Sequence, residues 1–320
     1  MSAGTHFAGP VYSQGVPLLP GFMPFMNNVF WVDPIKGSDD EDGLSRVTAK
    51  ASSAAALALC TADQDDTVIL LNKETLTSNL DWNKKKTHLL GASAACSLVG
   101  GAGFQSVAAA VTSLFTLSAN ECIFQNLFFD NYGTDAACIE ALVVSGILNQ
   151  FVNCSSYLGN NGSAALDVAT ASDLKVTGGY NRFTDCRIGS GYSLTGATRG
   201  ALRVDNMPSE LLFDNCIFRM DSSESGAGCV KYDMIEDIRW SHIYRNCTFL
   251  GLCSVATGSA AIDDIFIVGT VSGAGSIALL QDSVFYGATD WADENIKAYI
   301  FTNQDAGNGA GGKAVVTTGT

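Results

Sequence analysis

Short runs of alternating apolar and polar residues, broken by Gly, Asn, Ser and Asp, fill the middle of the chain. Within them one phrase returns: apolar, any residue, Asn or Asp, a small residue or Cys, any residue, apolar. Six copies align, at Phe124–Phe129, Phe151–Ser156, Phe183–Ile188, Phe213–Phe218, Tyr244–Phe249 and Leu280–Phe285. Counted from the Asn/Asp (Asn126, Asn153, Asp185, Asn215, Asn246, Asp282), the steps are 27, 32, 30, 31 and 36 residues. A period in that range marks a solenoid, in which each repeat stacks on the last.

Helical repeats need long stretches with apolar residues at i, i+3, i+4 and i+7, and the stretches between these phrases are too short and too β-branched for that. A second phrase precedes several copies of the first: Ala141–Val144, Ala165–Val168, Ala201–Val204 and Cys229–Tyr232. Each coil therefore carries at least two short strands, and every strand pairs with its counterpart one coil away. The expected fold is all-β, a parallel β-helix. Side chains alternate along a strand, so the positions one and three places after the Asn/Asp share a face. Those positions hold Leu127, Cys154, Cys186, Cys216, Cys247 and Ser283, then Phe129, Ser156, Ile188, Phe218, Phe249 and Phe285, an inner stack beside a mostly aromatic one. The Asn/Asp itself belongs at the bend, where it tolerates left-handed backbone, and in register the six form a ladder.

Three parts follow from where the period holds. Residues 1–29 form an irregular arm, rich in Pro, Gly and large apolar side chains; Phe7, Val11, Leu18, Leu19, Phe22 and Phe25 are its candidate partner-binding residues. Residues 30–290 form the solenoid. An Ala-rich helix over 49–59 covers its first coil, Asp66–Leu71, Thr87–Gly91 and Cys96–Gly100 are early strands, and the Gly- and Ala-rich stretch 100–111 is a loop. Residues 291–320 form a cap or tail, with a short helix and then a strand within Trp291–Phe301 and a last apolar run at Lys313–Val316.

The full chain has 320 residues, formal net charge −14, 47% hydrophobic and only 16% charged residues. An acidic surface with one short basic run, Lys84–Lys86, argues against nucleic acid as a partner. No apolar run approaches the ~20 residues of a membrane-spanning helix. Ten cysteines, without a secretory leader or a Cys-x-x-Cys, read as small buried hydrophobes, since four of them share one repeat position.

Chemistry is sparse. The outward position of the second phrase holds Val143, Asp167, Arg203 and Lys231, and the nearby acids are Asp205, Asp233, Glu236, Asp237, Asp263 and Asp264. A solvated face of ion pairs is the simpler reading, and no catalytic residue is assigned. The acidic loop at Asp39, Asp40 and Asp42 offers carboxylates to Ca²⁺ but lacks the EF-hand spacing and its distal Glu, so no cofactor is assigned either. His6, His88 and His242 are scattered; Trp31, Trp82, Trp240 and Trp291 do not follow the repeat; and Tyr157, Tyr180 and Tyr192 form at most a small patch.

The Phe-x-Asn-Cys-x-Phe phrase at this period resembles the right-handed parallel β-helix (pectate-lyase-like) superfamily over about residues 30–290. The segment Phe30–Leu44, with Val32-Asp33, Gly37-Ser38-Asp39 and Asp42-Gly43, resembles the opening of many phage and bacterial β-helices, and Thr5–Pro10 resembles the start of small tailed-phage virion proteins. The resemblance implies a non-enzymatic virion structural protein. The expected role is a decoration or cement protein of the phage head, a homotrimer bound to the major capsid protein through its arms. The alternatives are a tailspike-like polysaccharide depolymerase and a sugar-binding tail adhesin.

Overall fold

The fold is described from a computed structural model, over residues 11–13, 16–18, 27–92, 101–106, 111–133, 135–159, 168–189, 199–206, 208–222, 226–233, 241–252, 262–269, 276–292, 296–301 and 315–317. The chain winds as a right-handed parallel β-helix. Each full coil contributes three strands, one to each of three parallel sheets, in keeping with the at least two that the repeat phrases predict. The coil around the third copy of the phrase shows the plan: Arg182–Thr184 in the first sheet, Arg187–Ile188 in the second, Gly200–Asp205 in the third.

The phrase makes the bend between the first and second sheets. All six ladder residues have left-handed backbone, with φ of 57° at Asn126, 50° at Asn153, 56° at Asp185, 54° at Asn215, 52° at Asn246 and 50° at Asp282. Asn and Asp adopt this conformation at less cost than other side chains with a Cβ. The Asn153 amide donates to Asn126 Oδ1 at 2.8 Å and the Asn215 amide to Asp185 Oδ1 at 2.6 Å, so the side chains form rungs of a ladder. One place further on, the thiols of Cys154, Cys186, Cys216 and Cys247 point inward and lie 3.4 to 3.6 Å from the carbonyls of Phe124, Phe151, Phe183 and Phe213 one coil back. Ser283 repeats the contact, donating to Tyr244 O at 3.1 Å.

Two places before each of the first five bends an aromatic ring enters the core, and Leu280 takes that place before the sixth. Phe124, Phe151, Phe183, Phe213 and Tyr244 form a continuous column with centroid spacings of 5.2, 4.8, 4.8 and 5.1 Å. The parallel register sets that spacing, because the strands lie roughly 4.8 Å apart. Stacked pairs of this kind add about 0.5–1.5 kcal/mol each beyond the area they bury.

Several expectations need correction. The capping helix spans Ser53–Leu59, not 49–59. Lys50 bridges to Val32 and the Asp39 carboxylate binds the N–H groups of Ala51 and Ser52, so the chain stays extended until Ser52 caps Ala55. The helix buries Ser53, Ala56 and Leu57 at the first coil. The Gly-rich stretch 100–111 holds a strand, Gly103–Ser106: Phe128 of the next coil lies where a Cβ on Gly103 would be, and Phe104 packs into the core. The phrase Ala165–Val168 lies, but for Val168, outside the described residues, and the described third-sheet strand of that coil is Ser172–Val176. The period does not stop near 290, because Ala288–Ala292 and Ile296–Phe301 extend the third and first sheets, and 291–301 includes strand where a short helix was expected. Val315–Thr317 then pairs antiparallel with Ile296–Phe301. Cys96–Gly100 lies outside the described residues.

Candidate functional site on the third sheet

In the third sheet Leu142, Leu174, Leu202 and Val230 point inward in register, as do Val144, Val176, Val204 and Tyr232. The residue between them faces out, which aligns Val143, Lys175, Arg203, Lys231 and Ile267 down the outside. Three cations on successive coils repel one another unless anions interleave. Here they do. Lys175 Nζ lies 3.1 Å from Glu140 and 3.7 Å from Asp205; Arg203 reaches Asp205 at 3.3 Å and Asp233 at 2.7 Å; Lys231 Nζ lies 3.9 Å from Asp233.

Asp205 and Asp233 thus each bridge two cations. Backbone closes over them: Lys231 Nζ donates to Ala169 O and Arg203 Nη1 to Thr170 O, each at 3.0 Å. One coil on, Gly269 leaves the space that Asp233 takes, since a Cβ there would sit 1.5 Å from its Oδ1. Burial lowers the Lys231 pKa, the Asp233 charge opposes that and Arg203 adds to it. The result is a half-buried network of three cations and three carboxylates, tied across four coils.

The structure brings together Arg203, Lys231, Asp205 and Asp233 of the sequence candidates, and adds Lys175 and Glu140. Asp167, Glu236, Asp237, His6, Tyr192 and Trp240 lie outside the described residues, as do the side chain of Asp263 and the arm residues Phe7, Leu19, Phe22 and Phe25. Val11 and Leu18 pair across a short antiparallel hairpin. Asp264 is on the strand Ile262–Val268, in register with Asp290. The acidic loop does not converge on one point. Asp39 binds Ser52 and the backbone before the helix, while Asp42 accepts the Leu44 N–H at 2.9 Å. Among the described residues no group of three or more His, Cys, Asp or Glu is arranged to hold a metal ion.

His242 is wholly buried. Its Nε2 donates to Pro208 O at 3.0 Å, its Nδ1 accepts from Tyr232 Oη at 3.3 Å, and Tyr232 Oη lies 3.0 Å from Tyr244 Oη. His88 is buried beside Asp65, and burial lowers its pKa. Trp31, Trp82, Trp291 and Tyr157 are core or near-core residues, while Tyr180 is exposed.

Sequence reasoning missed two further features. Asp130, on the outer side of the second sheet, aligns with Gln105 and Tyr157. Burial pushes its carboxyl up to about 7, with Lys73 opposing and Asp173 adding. Asp173 in turn forms a fully buried ion pair with Arg199 at 2.6 Å. The signal for Lys175 was in the sequence, since Asp173-Leu174-Lys175-Val176 matches Ala201-Leu202-Arg203-Val204 position for position.

These features define the chain as a right-handed parallel β-helix protein with an ion-paired outer face. Among solved structures it is similar in fold to pectin methylesterases. PemA from Erwinia chrysanthemi superimposes with a TM-score of 0.57 at 17% identity, over 84% of this chain and 82% of that one. The enzyme from carrot gives 0.56 at 13% identity, over 93% and 89%. ORF18 of Geobacillus virus E2 also matches, with a TM-score of 0.36 at 12% identity over 75% and 57%, too loosely to support an argument. No protein-family model matches the chain, and no curated protein matches it in sequence.

Proposed function

We propose that this protein is a non-enzymatic structural subunit of a tailed-phage particle, a decoration or cement protein of the head. In this reading it assembles as a homotrimer and binds the major capsid protein through its arms. The observation that carries the reading is the closed polar network of the third sheet: Glu140, Asp205 and Asp233 are each paired with a cation of a neighbouring coil, Lys175, Lys175 and Arg203. A hydrolase or lyase of this architecture needs acids free to meet a substrate. Ion pairs linking four coils instead stiffen a rod.

The arm leaves the solenoid at its capped end, where the Asn27 N–H meets Asp65 O, and Ile35, Leu44, Val47 and Leu59 are exposed on the same capping segment. Arm and cap together supply the apolar contact. The test is pull-down of the full chain, and of a chain lacking residues 1–29, against assembled phage heads. Binding that is lost on truncation supports the reading; a full chain that ignores heads ends it.

Asp130 favours a second reading, action on a polysaccharide, because an outward carboxyl with a pKa near neutrality beside Tyr157 has the properties of a general acid. The fold likeness to pectin methylesterases is compatible with it. Incubation with bacterial surface polysaccharide and with methylated pectin separates the two, since shortened chains or released methanol, lost in Asp130→Asn, favour the enzyme.

A further inference from the structure

The turn from the third sheet to the first keeps one backbone shape on successive coils. Lys86, Glu121, Leu148 and Tyr180 all have left-handed backbone, with φ of 52°, 58°, 61° and 58°. Asp63, at φ of 62°, begins the column on the first coil. Each of the first four donates its N–H to the carbonyl just before the next member, Asp63 to Lys85 O, Lys86 to Asn120 O, Glu121 to Ile147 O and Leu148 to Gly179 O, so the five stack in register. Buried asparagines hold the turn from inside. Asn149 Oδ1 accepts the Cys122 N–H at 2.8 Å, and Asn181 Oδ1 accepts the Asn149 N–H at 2.9 Å.

The backbone here favours Asn, Asp or Gly as much as the bend between the first and second sheets does, where Asn and Asp fill all six places. At this turn only Asp63 conforms. A Lys, Glu, Leu or Tyr in left-handed backbone costs about 1–2 kcal/mol. Such a cost, met on four successive coils, points to side chains kept for what they touch outside the chain. Leu148 is 50% exposed, Tyr180 44% and the adjoining Ile147 39%, the apolar half of a ridge that runs along the solenoid. The other half balances its own charges: Lys85 pairs with Asp63 at 3.2 Å and with Glu121 at 3.0 Å, and Lys86 with Glu121 at 3.6 Å. These two lysines and two carboxylates cancel, on a chain whose formal net charge is −14.

We infer that this ridge is where copies of the chain associate, side by side and parallel, around an axis along the solenoid. Copies of so acidic a chain repel one another, and least along a ridge whose charges cancel. In the parallel arrangement Leu148 and Tyr180 meet the same residues of the neighbouring copy, and each lysine comes within one coil of a carboxylate. An antiparallel arrangement sets the apolar half against the charged half and loses both matches. Parallel copies about one axis form a closed cyclic assembly. The inference rests on the self-association contained in the proposed function and gives it a location; it does not rest on the phage head as partner.

The experiment is sedimentation velocity of the full chain over a range of concentrations, for wild type and for the double variant Leu148→Asn/Tyr180→Asn. Asparagine suits left-handed backbone, so these substitutions favour the fold of each copy and remove only the apolar half of the ridge. An unchanged far-ultraviolet circular dichroism spectrum checks that separation. The expected result is a wild-type oligomer, and a dissociation constant for self-association raised at least about tenfold in the double variant. Tyr286→Ser, at an exposed aromatic of the second sheet, is expected to leave the oligomer intact. A wild-type chain that stays monomeric at every concentration assigns the ridge to some other partner, and overturns the inference together with the homotrimer. An oligomer undiminished in the double variant overturns the ridge alone and leaves the homotrimer standing.

Discussion

Phe151 and Phe183 lie face to face on adjacent coils, with ring centroids 4.8 Å apart and planes 8° from parallel. Strand register alone makes them meet, since Phe151 pairs directly with Phe183. Phe183 is stacked on its other side by Phe213 at 4.8 Å and 9°. Removing it opens a cavity that neither neighbour can fill, because both are fixed by their own strands. Phe183→Ala is expected to lose about 3–5 kcal/mol, and Phe183→Leu less, in urea unfolding followed by near-ultraviolet circular dichroism.

Leu148 has φ of 61° at the turn before the strand Gln150–Val152, and half of it is exposed. A leucine there bears a cost of about 1–2 kcal/mol that asparagine largely escapes. Leu148→Asn should therefore stabilise the chain by about 1 kcal/mol. Asn215→Ala is the converse, since it places a Cβ without a compensating amide at φ of 54° and removes the bond to Asp185. It should destabilise by a similar amount, and both are read as shifts in the urea midpoint at unchanged slope.

The bend at Asn215 was legible in the sequence and the turn at Leu148 was not, for one physical reason. Left-handed backbone selects Asn and Asp strongly enough to leave a periodic signal, but at Leu148 and Tyr180 the flanking coils impose the same conformation on residues that do not favour it. The inward columns one and three places after the bend were legible because burial and period 2 both act on them. The third-sheet network was only half legible. Arg203, Lys231, Asp205 and Asp233 could be nominated, but insertions of unequal length hid which strand supplies the preceding coil, and Lys175 was passed over for Asp167. Arg199 belongs to no repeat phrase, and Asp130 acquires its character from burial that no local pattern encodes.

His242 ties acid stability to the core. Burial pushes its pKa down from 6.5 to about 4, with the bond to Pro208 O opposing. The unfolded chain therefore binds one more proton than the folded chain between those values. The contribution is fully present above pH 6.5 and is lost as pH falls toward 4, up to about 3 kcal/mol in all. Replacing the residue with His242→Phe removes this component. The difference in unfolding free energy between wild type and variant, measured from pH 7.5 to 4.5, should shrink as pH falls.

Asp130 acts in the opposite direction. Its carboxyl is raised from 3.8 to about 7, so the folded chain holds a proton that the unfolded chain releases at lower pH. Stability from this group is present below pH 3.8 and is lost as pH rises through 7. Asn is nearly isosteric with the protonated acid and carries no such penalty. Asp130→Asn should match wild type near pH 4 and exceed it at pH 8 by up to about 4 kcal/mol, as measured by urea titration at the two pH values. A variant that is weaker at pH 8 would mean that the ionised carboxylate is bound by a partner.

The column of Cys154, Cys186, Cys216 and Cys247 couples chemistry to unfolding. All four thiols are buried and none forms a disulfide. Each Sγ is held by carbonyls of its own and the preceding coil, and burial raises the pKa values of Cys186 and Cys247. All four are buried, so a reagent reaches them only when the coils open. Alkylation with iodoacetamide, followed peptide by peptide in the mass spectrometer, should modify the four together, at a rate that follows global unfolding and rises in Phe183→Ala. Ser283 occupies the same position one coil beyond Cys247 and makes the same backbone contact through oxygen. Cys216→Ser should therefore fold, at a cost of about 1–2 kcal/mol for a hydroxyl in a thiol's place. Early modification of one of the four in the native protein would show that the solenoid opens locally between coils rather than as a unit.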